Sequence, residues 1–492
     1  MDAAKISQTG VPGLDEILNG SLPKNHLYLL QGKPGTGKTT LSMQFLLNGL
    51  IHGERVLYVT FSETKLELQA VAQSHGWDVS KLPILELSTF SNSLSQNSQN
   101  TLFHPSEVEL TKLINLLLDE VKKINPSRIV FDSVSELRLL ADSSLRYRRQ
   151  MLAFKEFFIG RGATVLFLDD LSIDDGDMHV QSIVHGVILL EKFRAAYGVE
   201  RRQIHIAKLR GVNFKGGTHD YIIEKGGITI FPRLVSSHYK SNYSPERISS
   251  GSKELDALIG GGLDRGTSNL ILGPAGTGKS TIAVQLAVAA AKAGKKVAIY
   301  SFEEAIENLT IRSAALGFDL DALVKSGKLT LRKVDPAELT PGQFTSLVRE
   351  AHDDKADMVV IDSLNGYIHA MPERQFLMLQ LHELLSFLGK QGIITVLVLS
   401  QSGVIGSNML SPLDLTYLAD TVILTRYFEA MGAVKKAISV VKKRTGSHEE
   451  TLREFRISNG GISVGPILSN FSGIFSGIPK YLGDVMEQDN DK

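Results

Sequence analysis

The sequence has no cysteine and a single tryptophan among its 492 residues. Without a thiol there is no disulfide, no thiolate zinc site, no iron–sulfur cluster and no cysteine nucleophile, so redox chemistry would need a bound cofactor. Net charge is missing as well. The 53 basic residues balance 53 acidic ones, which removes any global attraction to nucleic acid or anionic membrane and leaves only local patches for such binding. Long apolar runs are also absent: the longest, around Ile393–Leu399, is far short of the roughly 20 residues needed to cross a bilayer. Met1–Gly10 lacks the basic start and apolar stretch of a signal peptide. The 13 histidines show no H-x-x-E-H or H-E-x-x-H spacing, so no transition-metal site is expected. These absences predict a soluble, cytoplasmic protein with no membrane partner and no nucleic-acid partner.

What the sequence does have is a repeat. Residues 9–63 match residues 250–304 without a gap: Leu14 and Asp15 fall on Leu255 and Asp256, Gly32 on Gly273, Lys38 on Lys279, and Glu63 on Glu304. The match continues more loosely, from RIVFDSVSEL ending at Leu137 to MVVIDSLNGY ending at Tyr367, and from AKLRG at 207–211 to VKKRTG at 441–446. The spacing is the size of a domain, not of a solenoid unit. It predicts an N-terminal domain over 1–235, a polar linker over 236–248 and a C-terminal domain with a short tail over 249–492. In each half, runs apolar on both faces (HLYLLQ, RVLYVTF, SNLILG, ITVLVLS) alternate with helical patterns. This predicts an α/β fold in which a mainly parallel sheet is flanked by helices. Closing runs such as QIHIAKL and AISVVKK predict terminal antiparallel hairpins. The polar stretch 89–101 reads as a surface loop.

Each half carries G-x-x-x-x-G-K-[ST] between an apolar strand and a helical segment. The first motif supplies Gly32, Pro34, Gly35, Thr36, Gly37, Lys38 and Thr39, followed by Thr40; the second supplies Gly273, Ala275, Gly276, Thr277, Gly278, Lys279 and Ser280, followed by Thr281. Glycines let the loop curl so that backbone N–H groups and the helix N-terminus face phosphate oxygens. Lys38 and Lys279 would neutralise the β- and γ-phosphates of ATP, while the Thr39 and Ser280 hydroxyls would ligate Mg²⁺. Asp132 and Asp362, ending the buried strands IVFD and VVID, complete the metal set, to which Glu303 is added; a turn-capping role is their alternative. The next strand ends in Phe61-Ser62-Glu63 or Phe302-Glu303-Glu304. Glu63, Glu303 and Glu304 are the candidate catalytic carboxylates, with a solvated strand-end charge as the other reading. Gln401 ends a strand where a polar residue could sense the γ-phosphate. Asp169, Asp170, Asp174, Asp175 and Asp177 lack calcium-loop spacing and read as a solvated turn.

The ordered set GKPGTGKT, TFSET, FDS and KLRG, then GPAGTGKS, FEE, IDS, ADTVIL, KKRTGSHEETLREF and FSGIP, resembles the KaiC family of tandem RecA-like ATPases, from about Ile6 to Asp484. The resemblance implies a homohexamer of two stacked rings with ATP at subunit interfaces. By motif, Lys208 and Arg210 serve the N-terminal ring from a neighbouring subunit, and Lys442 and Arg444 the C-terminal one; Arg201 and Arg202 read as solvated charges. The family's general base falls on Glu303 in the C-terminal half but on Ser62 in the N-terminal half. A hydroxyl cannot hold a proton at neutral pH, so either Glu63 substitutes or the N-terminal ring binds ATP mainly to assemble the hexamer. The family's phosphoacceptor pair falls on Thr416 and Tyr417, with Ser411 at an auxiliary position. Thr416 is the expected acceptor of a serine/threonine autokinase, and a two-site cycle is not expected. The short tail puts binding of the clock protein's activator in doubt. The implied role is a signalling or clock-related ATPase outside the cyanobacterial oscillator, read by partner proteins. A nucleotide-gated scaffold with little catalysis and a DNA-dependent ATPase are the alternatives.

Overall fold

The computed structural model describes residues 5–87, 105–141, 143–170, 178–194, 199–241, 243–369, 374–403, 415–475 and 478–483. The chain divides into two compact units, Met1–Arg233 and Leu234–Lys492. Each contains a nine-stranded sheet.

In the first unit the strands are β1 (Leu27–Gly32), β2 (Val56–Thr60), β3 (Ile84–Glu86), β4 (Arg128–Asp132), β5 (Thr164–Asp170), β6 (Gly186–Phe193), β7 (Arg201–Leu209), β8 (Thr218–Glu224) and β9 (Gly227–Phe231). Their spatial order is β3-β2-β4-β5-β1-β6-β7-β8-β9. Pairing is parallel from β3 through β6 and antiparallel from β6 to β9. In the second unit the strands are β10 (Ser268–Pro274), β11 (Val297–Ser301), β12 (Leu329–Lys333), β13 (Met358–Asp362), β14 (Ile394–Gln401), β15 (Thr421–Ala430), β16 (Ala433–Lys443), β17 (Arg453–Ser458) and β18 (Gly461–Ile467). They repeat the plan as β12-β11-β13-β14-β10-β15-β16-β17-β18. This is the tandem RecA-like arrangement, with the closing antiparallel strands expected from the sequence.

The period-two geometry of a strand explains the two-sided core. Along β1, Leu27 and Leu29 pack with Phe131, Phe154, Phe158 and Phe167, while Tyr28 and Leu30 point to the other face and join Leu41, Phe45 and Leu46 of the helix Lys38–Ile51. In the second unit Leu270 and Leu272 join Leu381, Leu384 and Leu388, and Ile271 joins Ala283, Leu286 and Ala287 of the helix Lys279–Lys292. A central strand covered on both faces must be apolar at every position, which is why these runs do not alternate with polar residues.

The segment after Arg233 packs on the second unit. Ser236 N–H donates to Glu383 at 2.7 Å, Lys390 Nζ donates to the Ser236 carbonyl at 2.8 Å, and Tyr239 meets Phe387 edge-on at 4.7 Å. Among the described residues no helix is long and apolar enough to cross a membrane.

Candidate active sites

In both units the parallel strands deliver their C-terminal ends to one edge, and the glycine-rich loop leaves β1 or β10 at that edge. Gly37 and Gly278 cap the helices that follow, at φ 94° and 102°. There a Cβ would meet Ile223 at 2.6 Å or Ile457 at 2.5 Å, so glycine is required both for the left-handed backbone and for the close approach. Loop N–H groups at a helix N-terminus make an anion site.

The structure brings Thr39 Oγ1 to 3.2 Å from Asp132 Oδ2, and Ser280 Oγ to 3.1 Å from Asp362 Oδ1. A hydroxyl and a carboxylate converging from loop and strand are hard oxygen donors, a set that fits Mg²⁺, which keeps waters and phosphate oxygens for its remaining positions. Among the described residues no cluster of three or more His, Asp or Glu could hold a metal. Burial pushes both carboxyls upward: Asp132 rises, while hydrogen bonds from Tyr58 and Thr39 oppose the rise. Asp362 is pushed to about 6, with Ser280 opposing and the Glu303 charge reinforcing.

The second unit's acids divide clearly. Glu304 is gripped by Arg312, whose Nε and Nη2 lie 3.1 and 2.9 Å from its two oxygens, and Arg312 also reaches Thr281 at 3.2 Å. Glu303 instead accepts from the Ser363 hydroxyl. It lies close enough to the loop lysine for its charge to favour the ammonium of Lys279, although burial still lowers that group to about 8. Lys279 Nζ donates to the Pro274 carbonyl at 2.7 Å. Gln401 accepts from Arg426 at 2.7 Å, and Asn365 brackets the Ser400 backbone at 2.7 and 3.1 Å.

The first unit solves the same geometry with different charges. Ser62 replaces Glu303, and Val71 stands level with Arg312 on the equivalent helix. Glu63 therefore has no arginine: its Oε2 is buried with no hydrogen-bond partner, and burial, with Asp132 and Glu67 nearby, raises its carboxyl to about 7. Tyr58, where the second unit has Ile299, donates to Asp132 Oδ2 at 2.5 Å. Asp169 and Asp170, expected in a solvated turn, end β5 instead, with Asp169 buried and Asp170 half-exposed. Asp169 is 1% exposed and bonded to Gln31, Ser135 and Arg138, and Asp170 pairs with Lys38 at 2.8 Å. The run TVLFLDD ends in acid where ITVLVLS ends in serine, and that contrast was the available signal. Arg202 is likewise mostly covered and pairs with Glu200 at 3.4 Å. Asp174, Asp175, Asp177 and Ser411 lie outside the described residues.

The basic pairs are placed elsewhere. Val187, the β6 partner of Lys208, is level with Leu29 of β1; Val422, the β15 partner of Lys442, is level with Leu270 of β10. Lys208 and Arg210 donate to the carbonyls of Gln181 and Ser182 at 2.5 and 2.9 Å. Lys442 donates to Thr416 and Ala419 at 2.5 and 2.7 Å, and Arg444 to Tyr417 at 2.5 Å. These loops enter β6 and β15 at the N-terminal edge of the sheet. With a rise of about 3.3 Å per residue, that edge is more than roughly 10 Å from the phosphate loop of the same chain. Lys38 and Lys279 thus share a site with Asp132, Glu63, Asp362 and Glu303, whereas Lys208, Arg210, Lys442, Arg444 and Thr416 stand apart from it.

The chain is similar to known proteins over nearly its whole length. A family model described as "ATPase: KaiC" matches residues 7–235 and 248–469. The chain is 27% identical over 485 residues to the circadian clock protein KaiC3 of Synechocystis sp., covering 98% of this chain and 95% of the relative. It is 28% identical over 482 residues to the circadian clock oscillator protein KaiC of Synechococcus elongatus, covering 96% and 91%. The KaiC of Thermostichus vulcanus matches at 27% over 482 residues, with 96% and 91% covered. With a loop, a hydroxyl–carboxylate pair and a nine-stranded sheet in each half, and the family model spanning both, the chain belongs to the KaiC family of ATPases.

Proposed function

We propose that the chain is a Mg²⁺-dependent ATPase whose second unit is also a serine/threonine autokinase, working in a homohexamer of two stacked rings with ATP at the interfaces between copies. The observation that carries this reading is Glu303, held by Ser363 beside Lys279 and Asp362 while Arg312 neutralises Glu304. There a carboxylate can take the proton of an attacking water or hydroxyl. Lys279 and the loop amides stabilise charge on the transferred phosphoryl group. Thr39 with Asp132, and Ser280 with Asp362, would hold Mg²⁺, which when bound supplies charge neutralisation on the phosphates.

Lys208, Arg210, Lys442 and Arg444 act on a neighbouring copy's nucleotide, since on their own chain they face the opposite edge. Thr416 shares that edge. A phosphoryl group reaching it therefore leaves ATP on the neighbour's loop: the bond from the γ-phosphorus to the β–γ bridging oxygen breaks, a bond to Thr416 Oγ1 forms, the hydroxyl proton passes to Glu303 of that neighbour, and ADP departs. In the first unit, Ser62 leaves Glu63 as the only strand-end carboxylate at the end of β2, and ATP there serves chiefly to assemble the ring. The output is phospho-state or ring conformation, read by signalling or clock partner proteins in the cytoplasm.

The test is to incubate the purified chain with Mg²⁺ and ATP, then map covalent phosphate by intact mass and peptides, with Lys279→Ala as control. Phosphate on Thr416 or Ser411, absent from the control, supports the autokinase. An unmodified chain that still consumes ATP leaves an ATPase alone. Negligible turnover favours a nucleotide-gated scaffold, a second reading that the serine at position 62 supports.

A further inference from the structure

Lys38 is saturated by protein oxygens. Its ammonium has three N–H donors, and they meet the Gly32 carbonyl at 2.8 Å, the Lys33 carbonyl at 3.3 Å and Asp170 Oδ1 at 2.8 Å. In the second unit the equivalent strand position is neutral: Gly32 is level with Asp170, and Gly273 is level with Ser400. Asp170 is also braced. Its backbone N–H donates to Ser135 Oγ at 3.0 Å, and Ser135 Oγ donates to the buried Asp169 at 2.8 Å, which Arg138 and Gln31 hold at 3.0 and 2.9 Å. The second unit has Asn365 in place of Ser135, Leu399 in place of Asp169 and Leu272 in place of Gln31. The carboxylate of Asp170 is 46% exposed, so it lies at the open side of the loop.

Resting on the reading that both loops bind ATP, we propose that Asp170 is an internal counter-ion occupying on Lys38 the place of a phosphoryl oxygen, and that it sets the first site against the nucleoside triphosphate relative to the diphosphate. β5 adjoins β1, and its end stands beside the loop at the edge where the terminal phosphate extends. A γ-phosphate therefore arrives next to a fixed anion and must take Lys38 from it. The diphosphate, lying deeper in the loop, brings less charge to that position. Two like charges about 5 Å apart near a surface repel strongly enough to change affinity by roughly tenfold or more. The second site, with Ser400, carries no such bias.

The test titrates fluorescent ATP and ADP analogues against the full chain carrying Lys279→Ala, with and without Asp170→Ser. The expected result is ATP bound about tenfold tighter in the double variant, with ADP changed by less than about threefold. Asp170→Asn, which keeps shape and removes charge, gives the same split and carries the test if the serine variant fails to fold. Conversely, Ser400→Asp on a Lys38→Ala chain weakens ATP at the second site more than ADP. Equal tightening of both nucleotides, no change, or looser ATP overturns the proposal. Absence of nucleotide binding in every chain with an intact Lys38 overturns the ATP reading of the first site along with it.

Discussion

The two units share a sheet order, a loop and a hydroxyl–carboxylate pair, yet they distribute charge around the loop lysine in opposite ways. In the second unit an arginine neutralises one glutamate and a serine hydroxyl holds the other. In the first, one glutamate is missing, the remaining one has a buried oxygen without a partner, and an aspartate grips the lysine. Backbone geometry constrains where groups can stand and so survives divergence between the halves. Which acids are neutralised, and by what, is free to differ. On the function proposed above, that difference separates a site for proton transfer from one that chiefly binds nucleotide.

The largest expected effect tests the separation between each basic pair and its own loop. Lys279→Ala and Arg444→Ala should each lower second-unit turnover by about 10³-fold. Mixing the two inactive chains before assembly should restore measurable steady-state ATPase activity, because some interfaces then join an intact loop to an intact Arg444. Failure to complement would place both groups on one chain's site. Next, Glu303→Gln should cost about 10²-fold in turnover, whereas Glu63→Gln should change the whole-chain rate by less than about threefold on the assembly role proposed for ATP at the first site. A smaller effect comes from importing the missing acid: on a Lys279→Ala chain, Ser62→Glu should raise the residual turnover by about tenfold.

The smallest effect concerns acid stability. His185 stands where the second unit has Asp420, and stacks on His26 with ring centroids 3.8 Å apart. Burial, then the neighbouring His26, lower it from 6.5 to about 4, with Arg210 and Lys208 also facing it; burial and Lys155 lower His26. The folded state thus favours neutral rings, so this stability is fully present above pH 6.5 and is lost as pH falls toward 4. The pair is partly exposed and screened, so the fall in the first unit's Tm between pH 7 and 5 attributable to it should be only about 2 °C. His185→Gln should reduce that fall in calorimetric scans at the two pH values, and leave the second unit's transition unchanged.

Much of this was legible in the sequence because it rests on local pattern. The doubly apolar runs gave the buried strands, the gapless match gave the duplication, and the motifs singled out the Thr39–Asp132 and Ser280–Asp362 pairs that the fold brings together. What stayed hidden depends on pairs that no sequence periodicity joins. Arg312 reads as an ordinary helix charge until the fold brings it to Glu304. Asp169 and Asp170 look like a polar turn until β5 lies against β1 beside Lys38. Tyr58 reads as one more apolar strand residue, yet its hydroxyl meets Asp132. An ion pair across the sheet leaves no periodic trace.

The bonds from Lys442 and Arg444 to the carbonyls of Thr416, Ala419 and Tyr417 make two properties one equilibrium: how firmly the loop carrying Thr416 is held, and how available the two cations are. A ligand that draws the cations away necessarily loosens the loop. By thermodynamic reciprocity, anything that stiffens the loop weakens that ligand by the same factor.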